Sequence, residues 1–301
     1  MSGKQIAVNP LYWIGGDYFT LTYQLHLVSE ISPHYNWCLV PEKFRIKDYE
    51  AMGARPIYCQ EAANPTIYKP YDVPVEFDVT FVGQAYGDRP LYIGHLLDQG
   101  IDARVWGYGW QNYSLDGRGI VDANQLKRAL RIGRKLLTPA GWQAAAQRLR
   151  RSSETQNAAC DSSSASVSKV GLPAAALGGT LSNIEMVKLY SRSKINLGFS
   201  SCGDTHKTGE RILQVRLRDF EVPMSGGFYM VEYMAELEEF FDIGKEVVCY
   251  EGPEDLAEKI TYFLQHDNER EKIRKAGYER CLRDHTWHKR FEMVFKEIGL
   301  V

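Results

Sequence analysis

The chain has no D-x-D triplet, no C-x-x-C pair, no run of basic residues and no apolar stretch of membrane-spanning length. Without D-x-D there is no paired-carboxylate motif of the kind that bridges a divalent cation to phosphate groups. The six cysteines (Cys38, Cys59, Cys160, Cys202, Cys249 and Cys281) are scattered singly. That spacing argues against structural zinc and a disulfide framework, and it suits reduced thiols in the cytoplasm. A formal net charge of −2 with no Lys/Arg-dominated segment leaves no footprint for nucleic acid. The N-terminal "MSGKQIAVNP" lacks the apolar core of a signal peptide, and no transmembrane segment is expected. "CGDTHKTGE" lacks the G-K-[ST] ending of a phosphate loop, and "WGYGW" does not complete G-x-G-x-x-G. His285 and His288 can share a helix face, but with no third ligand they read as packing and capping residues rather than a metal site.

What is present is ordinary globular material, 301 residues with 44% hydrophobic and 25% charged. That length gives a prior of two domains, each with its own core. "QIAV", "WCLV" and "PIYC" read as strands, with a helix between the first two whose face carries Leu21, Leu25 and Val28. Pro41 and Gly53 bracket a second helix. Prolines then recur in "NPTIYKPYDVP", a linker. "FDVTFVG", "PLYIGHLLDQG" and "ARVWG" give β-α-β with a continuous apolar first strand, as in a parallel sheet covered on both faces. The fold class is therefore α/β.

Between about residues 112 and 182 the pattern blurs. Basic helical material gives way to "SSETQNAACDSSSASVSKVG", whose Ser/Ala composition buries too little apolar surface to fold alone. This reads as an insertion, with a mobile loop at about 152–179. Its basic helix is a solvated face or a surface for an anionic acceptor. "NIEMVKLYSRS" (helix), "KINLGF" and "EVVCY" (strands), a helix opened by Pro253, and helical sequence almost to the terminus complete the chain.

Two stretches can carry chemistry. In "FVGQAYGDRP" a buried strand enters a glycine-bearing turn and then a helix. Backbone N–H groups there, beginning at Gly83, attract phosphate oxygens, and Arg89 can add a bidentate contact. The alternative is an ordinary turn with a solvated arginine. In "RDFEVPMSGGFYMVEY" Pro223 and the Gly226–Gly227 pair end a short helix before a strand that begins at Phe228. Glu221 on that helix can accept hydrogen bonds from the two hydroxyls of a ribose. Arg216 and Arg218 either neutralise a diphosphate or pair with Asp219 and Glu221.

"DVTFVGQAYGDRP", "YSRSKINLGFS", "LRDFEVPMSGGFYMVEY" and the long stretch from "GKEVVCYEGPEDLAEKI" to "DHTWHKRF" resemble the CgeB-type, spore-maturation-like glycosyltransferases. Those in turn resemble the C-terminal donor lobe of the GT-B glycosyltransferases, the group 1 glycosyl transferases. "AMGARPIYCQEAANPTIYKP" and "YWIGGDYF" also resemble parts of that family's N-terminal lobe.

The resemblance implies two Rossmann-like lobes. Residues 1–74 would be a partial acceptor lobe with its linker, and residues 75–301 the nucleotide-sugar donor lobe carrying the partly disordered insertion. It implies sugar transfer from a nucleotide-sugar donor to an unknown acceptor (glycan, protein or small molecule), with no metal or other cofactor. Positive side chains and helix dipoles would offset the leaving diphosphate.

By position in the motifs, Glu221 falls on the donor ribose, Ser225, Gly226 and Gly227 on the loop beside the donor, and Arg89 near the diphosphate. Asp17, in "IGGDYF", is the acceptor-side candidate base, with capping of the following helix as its alternative. Retaining members carry a second glutamate eight residues before the first; that position is Leu213 here. The N-terminal lobe reads as short. Either it is reduced, residues are missing, or a partner chain completes it. Rival readings are a non-catalytic nucleotide-sugar-binding or scaffold protein, and a nucleotide-sugar epimerase on the same fold.

Overall fold

The structure is a computed structural model that describes residues 6–8, 29, 30, 32–115, 170–203, 205 and 211–300. They fall into two compact units, Met1–Trp110 with Ala175–Val301, and Gln111–Ala174. The first unit contains two parallel sheets. Strands β1 (Ile6–Val8), β2 (Trp37–Val40) and β3 (Pro56–Tyr58) form one, in that order. Strands β4 (Phe77–Val82), β5 (Ala103–Trp106), β6 (Ser193–Gly198), β7 (Tyr229–Glu232) and β8 (Val248–Tyr250) form the other, in the order β5-β4-β6-β7-β8. Every pairing is parallel. The fold is α/β, as expected.

Helix α1 (Ile46–Ala51) lies between β2 and β3; a 3-10 turn at Lys43–Arg45 precedes it, so it starts later than Pro41 suggests. The expected helix face of Leu21, Leu25 and Val28 lies outside the described residues. Helix α2 (Arg89–Asp98) connects β4 to β5, and α3 (Asn183–Arg192) leads into β6. The Ser182 hydroxyl caps α3 by accepting from Glu185 N.

Helix α4 (Arg218–Met224) is short because Pro223 sits in its last turn and Gly226 follows at φ +72°. Only glycine takes that conformation without strain. Helices α5 (Pro253–Gln265), α6 (Asp267–Asp284) and α7 (Trp287–Glu297) complete the chain. On α5, Leu256, Ile260 and Phe263 are buried and Leu264 is half-buried.

The strands of the larger sheet are buried at most positions, as continuous apolar runs require, with Phe77, Asp78, Val82, Arg104 and Lys194 half-buried. Val79, Ile195, Met230 and Val231 are at most 1% exposed. A polar seam crosses this core and is satisfied internally. The Thr80 hydroxyl bonds Ser193 (2.8 Å) and Asn196 (3.2 Å), and the Asn196 amide donates to the Tyr190 carbonyl.

Helix α7 packs on the smaller sheet. Phe291, Val294, Phe295 and Ile298 follow helical spacing and meet Leu39, Ile57 and Cys59. Arg290 fixes the approach by donating to the Glu61 carbonyl.

The Ser/Ala-rich stretch divides. Residues 152–169 lie outside the described residues. Residues 170–179 are packed: Leu172 and Ala176 are buried, and Gly178 N donates to the Val105 carbonyl. Backbone pairing to β5 orders this end despite its small side chains. Among the described residues, no helix is long and apolar enough to cross a membrane.

Candidate functional site

The order β5-β4-β6 sets the geometry. The chain leaves β4 toward β5 on one side, and β6 flanks β4 on the other. The carboxyl ends of β4 and β6 therefore meet at a topological switch point, where open α/β sheets offer a crevice. The loop after β4 is fastened to the loop after β5. Gly83 N donates to the Trp106 carbonyl and Ala85 N to the Tyr108 carbonyl, both at 2.8 Å, and Trp110 Nε1 donates back to the Gly83 carbonyl. This approach needs Gly107, at φ +133°. A Cβ there would lie 2.2 Å from the Gly83 oxygen.

Arg89 opens α2, and its side chain folds back over the Gly83 loop. Nη1 donates to the Gln84 carbonyl (3.0 Å) and Nη2 to the Tyr86 hydroxyl (2.6 Å). The guanidinium lies 3.8 Å from the Tyr86 ring centroid and also near the Phe81 and Phe199 rings. It is buried, and Nε has no hydrogen-bond partner. Burial pulls its pKa down to about 10; repulsion from Arg216 and Arg218 adds to this, and Tyr86 opposes it. The structure thus brings Arg216 and Arg218 into electrostatic range of Arg89. Arg89 is nevertheless committed to its own loop.

Arg216 is likewise committed. Its guanidinium donates to the carbonyls of Phe199 (3.0 Å) and Ser201 (2.7 Å), which follow β6. Its backbone N–H donates to the Asp219 carboxylate, whose other oxygen accepts from Tyr229. Complete burial pushes Asp219 up to about 6, against those two hydrogen bonds. Arg218 reaches the Tyr190 hydroxyl (2.7 Å) on α3 and the Met186 sulfur.

Glu221 is buried beside Arg218 and accepts a hydrogen bond from Tyr68 of the proline-rich segment. Burial raises its pKa, with Arg218 and Tyr68 opposing. Ser225, Gly226 and Gly227 form the turn below. The Ser225 hydroxyl donates to the Glu221 carbonyl and Ser191 donates to the Ser225 carbonyl, while Gly226 lies against Pro70 and Gly227 against Asn196.

The candidate residues therefore form two groups. Gly83, Arg89 and Arg216 gather around the loops after β4 and β6. Arg218, Glu221, Ser225, Gly226 and Gly227 lie on α4 and its turn, against α3 and residues 68–70. Asp17 lies outside the described residues.

A third group escaped the sequence reading. Glu232, the last residue of β7, accepts from two successive backbone N–H groups through one carboxylate oxygen, Ser200 N at 3.1 Å and Ser201 N at 3.2 Å. Its other oxygen accepts from Arg211. Arg211 also holds Asp88 at 2.8 Å and is hydrogen-bonded to Tyr92. Asp88 accepts from the Ser201 hydroxyl at 3.3 Å. A charge closing an apolar strand was the one local signal, at Glu232. Nothing in the spacing links it to Asp88. Among the described residues, no group of three His, Cys, Asp or Glu side chains is placed to hold a metal ion.

A family model described as "Glycosyl transferase-like" matches residues 165–296. No curated protein matches the chain. Solved structures share the fold at low identity. Anabaena Alr3699/HepE in complex with UDP aligns at 10% identity and TM-score 0.57, covering 96% of this chain and 70% of that one. The same protein in complex with UDP-glucose aligns equally well. Sucrose-phosphate synthase from Thermosynechococcus elongatus aligns at 11% identity and TM-score 0.54, covering 100% of this chain and 68% of that one. TarM aligns at 12% identity and TM-score 0.52, with 92% of this chain against 45% of that one.

Proposed function

We propose that this chain is a CgeB-type glycosyltransferase that moves a sugar from a nucleotide-sugar donor to an acceptor hydroxyl without a metal ion. One observation carries the reading: Arg89 and Arg216 gather at the loops after β4 and β6, with Arg218 on α4 within electrostatic range of Arg89, in a fold shared with a protein bound to UDP and UDP-glucose. In the reaction the acceptor oxygen forms a bond to the anomeric carbon as the bond from that carbon to the diphosphate oxygen breaks. The acceptor gives up its proton and the nucleoside diphosphate leaves with the electron pair. Arginine charge and backbone N–H groups stabilise the leaving group, and positioning supplies most of the remaining acceleration. Glu221 takes the ribose hydroxyls, exchanging the Tyr68 hydrogen bond for them. Asp17 is the acceptor-side base in this scheme.

A thermal-shift panel of nucleotide sugars tests the reading. A donor at a hundred times its dissociation constant should add roughly 2.7 kcal/mol of stability. Calorimetry on the binder, repeated in EDTA, should show unchanged affinity, and affinity should fall with rising salt to the extent that the three arginines are open to solvent. A strict need for magnesium or manganese would overturn the metal-free scheme. Glu221→Ala should weaken donor binding by about 1.5–3 kcal/mol while the circular dichroism spectrum is retained. Unchanged affinity in that folded variant would make Glu221 a packing residue of α4.

A further inference from the structure

The loop after β6 separates two kinds of charge. On its carbonyl side Arg216 binds the Phe199 and Ser201 oxygens, with Arg89 over the Phe199 ring. On its amide side the Ser200 and Ser201 N–H groups are filled by Glu232. Successive backbone N–H groups of this kind form a cradle for an anion. In this chain a carboxylate from the neighbouring strand occupies the cradle. Glu232 and Asp88 then close on Arg211.

Arg211 is the accessible member of this amide-side group. Its side chain is 34% exposed, while those of Asp88 and Glu232 are 7% and 8%. Two carboxylates face one guanidinium, so the cluster carries no positive charge to offer. Its Nη2 serves both carboxylates, and Tyr92 takes a further hydrogen bond. A guanidinium has five N–H donors in a fixed fork, so donors remain on the exposed edge. Such a group favours neutral hydroxyl oxygens over phosphate. A phosphate brought to it would meet two fixed carboxylates, whereas a sugar hydroxyl accepts from the fork and suffers no such repulsion.

We infer that Arg211 reads the hydroxyls of the transferred sugar, and that Asp88 and Glu232 are positioning residues that hold its fork and cancel its attraction for phosphate. The inference rests on the glycosyltransferase reading and deepens it. Phosphate belongs to the carbonyl side of the loop and sugar to the amide side. A nucleotide sugar carries those two chemistries next to each other.

The test compares bare and sugar-bearing nucleotides by calorimetry: UDP with UDP-glucose, GDP with GDP-mannose, and ADP with ADP-glucose. In Arg211→Met the nucleoside diphosphate should bind within twofold of wild type, while its sugar conjugate weakens about tenfold, roughly 1.4 kcal/mol. Glu232→Gln keeps the shape but leaves Arg211 with one carboxylate. It should bind the bare diphosphate more tightly than wild type and lose part of the preference set by the sugar. A merely structural role for Glu232 would not tighten anything. Equal weakening of both ligands in Arg211→Met, or unchanged binding of both, would overturn the inference while the donor site stands. If wild type binds no member of the panel, the glycosyltransferase reading falls and this inference falls with it.

Discussion

Replacing Phe220 with alanine should lower the free energy of unfolding by about 3–5 kcal/mol, the range for removing a large aromatic from a packed core. Phe220 is fully buried on α4, between Asp219 and Glu221. Its ring meets Phe240 edge-on at 5.4 Å and stacks on Phe241 at 6.0 Å, with His285 at 5.1 Å. The Arg290 guanidinium lies 5.2 Å from its centroid. Truncation therefore forfeits the transfer energy, leaves a cavity walled by three aromatic residues, and removes a ring face from a buried cation. Rings anchored on two separate segments, the adjacent Phe240 and Phe241 and the distant His285, cannot collapse fully into the gap. Urea unfolding should show an earlier midpoint at unchanged slope. A loss below about 1 kcal/mol would mean that the site repacks freely, contrary to this packing.

The same helix shows what the sequence could specify. Local chemistry sets its end and the start of β7, because Pro223 and Gly226 act through backbone geometry that needs no distant partner. The continuous apolar strands of the larger sheet were legible for a similar reason. Arg89 could be placed at the start of α2, but not the direction of its guanidinium. That direction depends on the loop conformation set by the Gly107–Gly83 approach, between loops that follow different strands. The cluster of Asp88, Arg211 and Glu232 was invisible for the same reason. Strand order alone brings it together. The packing of α7 on the first sheet likewise joins the two ends of the chain, and its apolar stripe does not name the surface it covers.

Stability should also fall in acid through His285, and the sign follows from its hydrogen bonds. The ring is buried; Nδ1 accepts from the Arg290 guanidinium at 3.2 Å, so Nε2 carries the proton and donates to the Phe240 carbonyl at 2.7 Å. Protonating Nδ1 would destroy the first bond and place a second positive charge against Arg290. Burial is the largest influence, Arg290 and Arg280 add to it, and together they hold His285 down to about 4 despite the Phe240 bond and Asp284. An unfolded histidine titrates near 6.5. Above that value the ring is neutral in both states and its contribution is complete. As pH falls through 6.5 toward 4 the unfolded chain takes up the proton first, and about 3 kcal/mol is lost.

Asp219 works in the opposite sense. Held at about 6 when folded, it lends stability in acid that disappears as pH rises through 6, so the wild-type profile is flatter than either group alone would make it. The difference between wild type and His285→Gln isolates the histidine, because Asp219 is common to both. That difference, measured by urea unfolding at pH 7 and again at pH 4, should shift by about 3 kcal/mol against wild type. A difference that stays constant with pH would show that His285 keeps an ordinary affinity for protons, and the Arg290–His285–Phe240 hydrogen-bond chain would have to be redrawn.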